Sequence, residues 1–413
     1  MESSRIAITG IGVVAPTGVT ERAFAASLME GRSAIAPGTD GYLRAPVPEF
    51  GAKRYIAPGG LRRMPRLVQM TIVAAKQALA DAAGVVIPDG DAPLPDVVKT
   101  PVLALGLDSN RVGVVLGTGL GTFDQTMEFL LGYLNGGPEA ASPMLFPTSV
   151  MNAAAGLLSV ECGLRGINST INHKDSSPLL AIGMAIDQLR LGRADAIVVG
   201  ATDELCDPIL EGYRLLGGLS RTTMRPYDRA RDGLALGESA ALLVLERYED
   251  AVKHGRKIRG VIDRRSETSE SRPRVGWGEG HAGVGAVRAV SEVLAGAPEI
   301  DWIAGSGNGT RLDELELSAL RTAFADAKKP LPPISSILSQ TGESAASSLL
   351  RVCSAVIACE AGMIPGTLGL TQALPGFDAA LVTSQRRQPV RSVLVPSFGQ
   401  GGSNTALIIE RAS

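Results

Sequence analysis

The sequence predicts an α/β fold built from two similar halves, and three observations lead to that prediction. Apolar runs such as RIAITGI, RVGVVLGTG and AIVVGA are typical of strands buried on both faces of a sheet. Segments with apolar residues at helical spacing stand between them. Two stretches, GESAALLVLER (Gly237–Arg247) and GGSNTALIIER (Gly401–Arg411), resemble each other. We therefore expect one half over residues 1–250 and another over residues 251–413, with helices covering the sheets.

The elements follow in order along the chain. RIAITGI indicates the first strand, because its apolar run is short, is broken by glycine and lacks a basic leader. SSPLLAIGMAIDQLRLG (Ser176–Gly192) predicts a helix that ends at a glycine, followed by the strand DAIVVGA. SAASSLLRVCSAVIACEAG (Ser344–Gly362) repeats this pattern, and SVLVPS follows it after a loop. The polar stretch RRSETSESRPR (Arg264–Arg274) predicts a surface loop.

Composition narrows the class of protein. The 413 residues are 45% hydrophobic and 20% charged, with a formal net charge of −2 and no basic block, so neither nucleic acid nor an anionic membrane is expected as a partner. No apolar run approaches the roughly 18 residues of a membrane-spanning helix. The four cysteines lack paired spacing, which favours reduced thiols in the cytoplasm. The three histidines lack metal-ligand spacing, so no metal is expected.

One short segment raises the question of activity. STINHKDSS predicts a strand, a sharp turn and the start of a helix, an arrangement that many folds use to present a nucleophile. The tip of this turn is Asp175, and neither a cysteine nor a serine with an obvious base occupies it.

Several motifs together resemble the elongating β-ketoacyl-acyl carrier protein synthases along almost the whole chain. RIAITGIGVVAPTG matches the opening strand of that family, RPYDRARDGLALGESAALLVLE matches its R-P-F-D segment, and SFGQGGSNTALII matches its glycine-rich ending. The resemblance implies a thiolase fold, with two duplicated halves in a five-layer αβαβα architecture.

The same resemblance assigns roles to particular positions, and this chain departs from them. The family uses a cysteine and two histidines; here Asp175 replaces the cysteine, and Asn308 and Glu343 replace the histidines. A supporting lysine becomes Leu338. In the family's gating segment, Phe398 keeps the first phenylalanine and Gln400 replaces the second.

These replacements predict the loss of condensation chemistry. An aspartate suits the positive end of a helix, but its acyl product is a mixed anhydride that hydrolyses quickly. Asparagine transfers no proton, and a glutamate carboxylate repels an enolate. The pattern therefore resembles the chain-length factor, or ketosynthase β subunit, of type II polyketide systems. The aspartate, where aromatic members commonly carry glutamine, points toward polyene pathways such as the aryl polyenes.

The resemblance also implies partners. An active ketosynthase is expected to form a heterodimer with this chain, and an acyl carrier protein is expected to supply a phosphopantetheine arm as a transient ligand, with no other cofactor. Strand GINSTIN (Gly166–Asn172) is expected at the dimer interface, and PMLFPTSVMN is expected to line the partner's acyl tunnel. The residues expected at this interface and tunnel are Leu145, Phe146, Met151, Asn152, Thr170 and Ile171.

Two further functions remain open from the sequence. Asp175 and Glu343 are also suited to an acid–base pair in an acyl-thioester hydrolase or cyclase. Alternatively, the chain is a homodimeric binding protein for acyl carriers. A structural role for each carboxylate, as a cap on the first turn of its helix, competes with the catalytic role.

Overall fold

In the computed structural model, residues 5–88, 90, 92–270, 283–399 and 401–412 are described. A ten-stranded mixed sheet organises the chain, in the order β8-β7-β9-β10-β6-β1-β5-β4-β2-β3. The strands are β1 (Ile6–Val14), β2 (Val112–Thr118), β3 (Asn168–Asn172), β4 (Ala196–Asp203), β5 (Ser239–Arg247), β6 (Gly260–Ser269), β7 (Trp302–Ala304), β8 (Ile334–Ser335), β9 (Ser392–Phe398) and β10 (Ser403–Arg411).

The longer helices pack against this sheet. They are α1 (Glu21–Glu30), α2 (Arg66–Ala82), α3 (Phe123–Gly136), α4 (Ala153–Cys162), α5 (Ser177–Arg190), α6 (Asp207–Leu215), α7 (Val284–Leu294), α8 (Leu312–Asp326) and α9 (Ser347–Ala361). Single helical turns lie at Ala52–Tyr55, Pro58–Leu61, Asp96–Val98, Pro101–Ala104, Ser109–Arg111, Pro138–Ala140, Phe146–Thr148, Lys174–Ser176, Tyr248–Lys253 and Leu338–Thr341. Minor strand pairs involve Ala36–Pro37, Leu43–Ala45, Leu236–Gly237, Met363–Ile364 and Arg386–Arg387. Among the described residues, no helix is both long and apolar enough to cross a membrane.

The two ends of the sheet have the same topology. In the first half, β1 pairs antiparallel with β5, β5 with β4, and the parallel pairs β4–β2 and β2–β3 follow. The second half repeats this order with β6, β10, β9, β7 and β8. The halves join where β1 pairs with β6, from Ile6 opposite Ile262 to Ile8 opposite Gly260. The similar stretches noted in the sequence are β5 and β10, which occupy equivalent places.

Three apolar cores separate the layers. Helices α5 and α9 pack between the two halves and share a core with strands of both. Helices α2 and α4 cover the outer face of the first half, and α7 and α8 cover that of the second. The result is the five-layer αβαβα arrangement that the resemblance implied. The layers pack closely: a Cβ atom on Gly12 of β1 would lie 1.8 Å from the carbonyl oxygen of Ala74 in α2.

The prediction of a surface loop from Arg264 was wrong over its first part. Residues up to Ser269 belong to β6, which pairs with β10 along its length. The polar side chains alternate: Ser266 donates a hydrogen bond to Glu292, and Thr268 donates one to the carbonyl of Gly285. Successive side chains of a strand point to opposite faces of the sheet, and those on the buried face need not be apolar. Hydroxyl groups can lie there when they are hydrogen-bonded, as these two are. The remainder of the predicted loop, residues 271–274, lies outside the described residues.

Candidate functional site

Asp175 lies on the turn that joins β3 to α5. The turn is a single 3₁₀ turn, Lys174–Ser176, and Lys174 adopts a left-handed φ of 48°. Two hydroxyls from the second half bind the backbone carbonyl of Asp175, one from Ser397 at 3.1 Å and one from Ser348 at 3.4 Å. The turn is therefore tied to β9 and α9, and Asp175 lies on the seam between the halves.

Asn308 approaches the same place from the loop after β7. Its backbone N–H donates to the carboxylate of Asp313 at 2.8 Å, and its side-chain oxygen accepts from the Thr310 hydroxyl at 2.7 Å. The oxygen is thus occupied, and the side-chain amide donates to Glu343. Because the side chain is buried and anchored on both sides, its amide group has a fixed direction.

Glu343 precedes α9 and is held by its backbone. Its N–H donates to the carbonyl of Ala235 at 2.7 Å, and its carbonyl accepts from the N–H of Gly237 at 2.8 Å. Its Oε2 atom is buried and has no hydrogen-bond partner among the described residues. Burial and the negative charge of Asp175 raise the pKa of Glu343 well above its ordinary value, against the opposing effects of Arg351 and Asn308. The environment therefore favours the neutral acid.

The buried cation of Arg351 lines the same cavity as Asn308 and Glu343. One guanidinium nitrogen donates to the backbone carbonyls of Ala304, at 3.0 Å, and Pro396. Burial lowers the pKa of Arg351, and the carboxylates of Glu316 and Glu343 act in the opposite direction. Arg351 was not among the predicted site residues; its signal in the sequence is a charged residue inside the apolar run SSLLRVCSAVIACEAG.

The three positions that the family resemblance matches to a cysteine and two histidines, Asp175, Asn308 and Glu343, line one small cavity of about 40 Å³. Leu338 and Phe398, which the resemblance matches to the supporting lysine and the first gating phenylalanine, line the same cavity. Gln400 lies outside the described residues. A cavity of this size has room for a few water molecules and none for an extended acyl chain. Its described lining contains no cysteine and no histidine.

A second cavity of about 150 Å³ lies beside the first and shares Asp175, Tyr213, Glu343 and Ser344 with it. Asp203 and Glu204, at the end of β4, also line it. Burial raises the pKa of both carboxyls to about 7. Neither residue was among the predicted site residues. Their signal in the sequence is an acidic pair directly after an apolar strand, at the edge where parallel strands bring their carboxyl ends together.

The residues expected at a partner's tunnel lie elsewhere, along the β3 edge of the sheet. Phe146 is 58% exposed and packs against Phe129, with ring centroids 5.7 Å apart. Met151 is also largely exposed, and Leu145 is half-buried. Asn152 immediately precedes α4, and Thr170 and Ile171 are half-buried in β3. None of these six lines either of the cavities that contain Asp175.

The duplicated sheet, with a site on the seam between its halves, defines a protein of the thiolase fold. The family model described as "Beta-ketoacyl synthase, N-terminal domain" matches residues 3–251, and the corresponding C-terminal domain matches residues 276–371. The chain therefore belongs to the β-ketoacyl synthase family.

Relatives of similar length span the whole chain. The 3-oxoacyl-[acyl-carrier-protein] synthase 2 of Coxiella burnetii is 29% identical and covers 100% of this chain and 99% of its own. The putative polyketide beta-ketoacyl synthase 1 of Streptomyces virginiae is 28% identical with the same coverage. A β-ketoacyl synthase structure from Burkholderia phymatum has a TM-score of 0.85 at 26% identity, covering 99% of this chain and 100% of its own. The structure titled "The ishigamide ketosynthase/chain length factor" has a TM-score of 0.84 at 24% identity and covers 100% of both chains.

Proposed function

We propose that this chain is a non-condensing, ketosynthase-like subunit of the chain-length-factor type. In this proposal it pairs with an active ketosynthase of a type II polyketide or polyene system and shapes the tunnel in which the chain grows. One observation carries the proposal: the cavity at the start of α5 brings together Asp175, Asn308 and Glu343 at the positions where the family resemblance places a cysteine and two histidines.

The contacts of these residues fit poorly with condensation. The Asn308 amide donates to Glu343 and is therefore engaged within the protein. The raised pKa of Glu343 favours a neutral acid, which is a weaker stabiliser of an enolate than a pair of oriented imidazoles. Losing one such electrostatic donor reduces an enzyme's rate by roughly 10²–10³-fold. Two altered donors and a missing thiolate leave no effective route to a new carbon–carbon bond.

An exposed apolar surface supports the pairing. We call it the apolar edge, and it runs from α3 to the start of α4 beside the edge strand β3. Its exposed members are Leu130, Leu131, Tyr133, Leu134, Met144, Phe146, Val150 and Met151. Large apolar side chains exposed in this number along one stretch of the chain favour an interaction site. An active ketosynthase covering it would bury more than about 2,000 Å², as obligate interfaces do. An acyl carrier protein would then deliver its phosphopantetheine arm to the partner's cysteine.

The proposal is tested by co-expression with a ketosynthase that retains its cysteine, followed by mass measurement in solution and a condensation assay. We expect a one-to-one heterodimer whose activity depends on the partner's cysteine. Leu134→Lys, at a position 73% exposed on the apolar edge, should abolish the complex. Val252→Lys, at a position 55% exposed on the separate turn Tyr248–Lys253, is the matched control and should leave the complex intact. A chain that forms only homodimers in the presence of the ketosynthase would contradict the proposal and favour a homodimeric carrier-binding protein.

A second candidate function is hydrolysis of an acyl thioester. The raised pKa of Glu343 and the neighbouring carboxyl of Asp175 favour it, because a protonated acid beside a carboxylate is an acid–base arrangement. In that case the purified chain alone should hydrolyse acyl-carrier thioesters, and Glu343→Gln should remove the activity. Hydrolysis at the rate of a buffer blank would eliminate this candidate.

A further inference from the structure

The 150 Å³ cavity beside the degenerate triad has an unusual charge distribution, and we call it the acidic cavity. Four carboxyl groups line it, those of Asp175, Asp203, Glu204 and Glu343. Its other walls are largely apolar, with Leu120, Leu205, Ile209 and Leu236 among them. A cavity of about this size accommodates a molecule of about six non-hydrogen atoms.

Asp203 contributes a buried side-chain oxygen to this lining that no protein group in the described part of the chain binds. Its side chain is only 6% exposed. Its Oδ1 atom accepts three hydrogen bonds, from the Thr118 hydroxyl at 3.1 Å and from the N–H groups of Gly119 and Leu120 at 2.9 and 3.3 Å. Its Oδ2 atom is buried and has no hydrogen-bond partner among the described residues. A buried acceptor without a partner costs about 1–3 kcal/mol, so a donor in the cavity would recover that free energy.

Glu343 presents a second side-chain oxygen to the same cavity. Its Oε2 atom is also buried without a partner in the described part of the chain. The positive groups nearby do not fill the space: Lys174 is exposed at the rim, and Arg351 does not line this cavity, with one of its nitrogens donating to backbone carbonyls. The four carboxyls also do not form a cluster with metal-ligand geometry among the described residues. A compact donor of positive charge with an apolar attachment would therefore complement these walls.

We propose that the acidic cavity binds a primary alkylammonium ion, with its N–H donors directed at Asp203 and Glu343 and its alkyl segment against the leucine and isoleucine walls. An ammonium group offers three donors and no acceptor, which suits carboxylate oxygens. Its positive charge favours the ionised form of Glu343, which is the neutral acid in the absence of a cation, so binding releases a proton. Hydrogen bonds between ionised partners are about twice as strong as neutral ones. The raised pKa values of Asp203 and Glu204 accord with carboxyls that have no neutralising cation.

The probe for this site is n-butylammonium chloride, titrated calorimetrically into the full chain, or into its complex with a ketosynthase, at pH 8 and about 150 mM salt. The neutral control is n-butanol, which has the same alkyl length. We expect saturable one-to-one binding of n-butylammonium and none of n-butanol. Asp203→Asn keeps an oxygen for the three donors to Oδ1 and removes the charge, so it should weaken binding at least tenfold. Glu343→Gln should do the same, whereas Asp326→Asn, at an exposed position in α8, should have no effect.

Thermal unfolding of the unsubstituted chain provides a readout that does not depend on the variants folding. n-Butylammonium should raise the melting temperature, and n-butanol at equal concentration should not. Equal effects of the two compounds, or affinities unchanged in both Asp203→Asn and Glu343→Gln, would overturn the proposal. Binding that appears only in Lys174→Met would also overturn it, because the chain would then supply its own ammonium group. These outcomes are independent of whether the chain pairs with a ketosynthase.

Discussion

Replacement of Asp203 by asparagine should change how the stability of the protein depends on pH. Burial raises the pKa of this carboxyl from 3.8 to about 7, so the folded chain holds a proton that the unfolded chain releases near pH 4. A carboxyl with a raised folded-state pKa stabilises the fold fully below the unfolded pKa, and that contribution disappears as the pH rises through the folded pKa. The window for Asp203 is therefore about pH 4 to 7.

The size of the effect follows from the same shift. Roughly three pKa units, at about 1.4 kcal/mol each, correspond to a loss on the order of 4 kcal/mol across the window. Asparagine does not titrate, and its oxygen preserves the acceptor for Thr118, Gly119 and Leu120. Asp203→Asn should therefore match the native chain near pH 4 and exceed its free energy of unfolding at pH 8.

Denaturant unfolding, followed through tryptophan fluorescence, to which the fully buried Trp302 contributes, measures this difference at pH 4 and pH 8. Asp326→Asn is the matched control, since its side chain is exposed and its substitution should leave the pH dependence unchanged. Native and Asp203→Asn curves that fall by the same amount between these pH values would refute the reasoning, because Asp203 would then not titrate in this range.

Three further predictions concern the partner, the chemistry and the join between the halves. Phe146→Ala or Leu145→Ala should lengthen the products of the proposed heterodimer or broaden their distribution, with less change in rate. Unchanged product lengths in an intact complex would exclude a role for this segment in setting product length. If the proposed function is correct, Asp175→Cys should not give a condensing enzyme, because Asn308 and Glu343 would still stand where the resemblance places the two histidines. Mass spectrometry for the acyl-enzyme, together with product analysis, would reveal any condensation. Arg259→Met should lower the free energy of unfolding by about 3–5 kcal/mol. The substitution removes the buried guanidinium that binds the carboxylates of Glu21, Asp81 and Glu360, and leaves those carboxylates without their cation. A loss below about 1 kcal/mol, measured by unfolding in denaturant, would contradict this.

The fold could be predicted from the sequence wherever the pattern of apolar residues matches the environment that the folded chain gives them. The runs that became β1, β2, β4 and β9 are apolar because helices cover both faces of these strands, and the two central helices end near their glycines. Strand β6 was not predicted, because hydrogen-bonded serine and threonine hydroxyls occupy some of its buried positions in place of apolar side chains. The spacing of apolar residues in a sequence carries no information on hydrogen bonding. A buried strand with polar side chains therefore looks like a loop in the sequence.

The candidate site was only partly accessible. Asp175, Asn308, Glu343, Leu338 and Phe398 were identified through a family resemblance, since nothing local connects positions so far apart in the chain. Asp203, Glu204 and Arg351 were missed because their significance depends on the packing of β4 and α9 around the cavities. Burial and the distances between charges arise from tertiary structure, so their effects on pKa were not available in advance.

The pairing of β1 with β5 has a consequence for synthesis on the ribosome. The fully buried strand Ile6–Val14 has its long partner at Ser239–Arg247, and β6 follows only after that. At about 5–20 residues per second, β1 leaves the ribosome roughly ten to forty-five seconds before β5 is made. During that interval a nine-residue apolar strand has neither edge paired. The nascent chain should therefore depend on a chaperone over this interval more than a protein whose first strand pairs with its immediate successor.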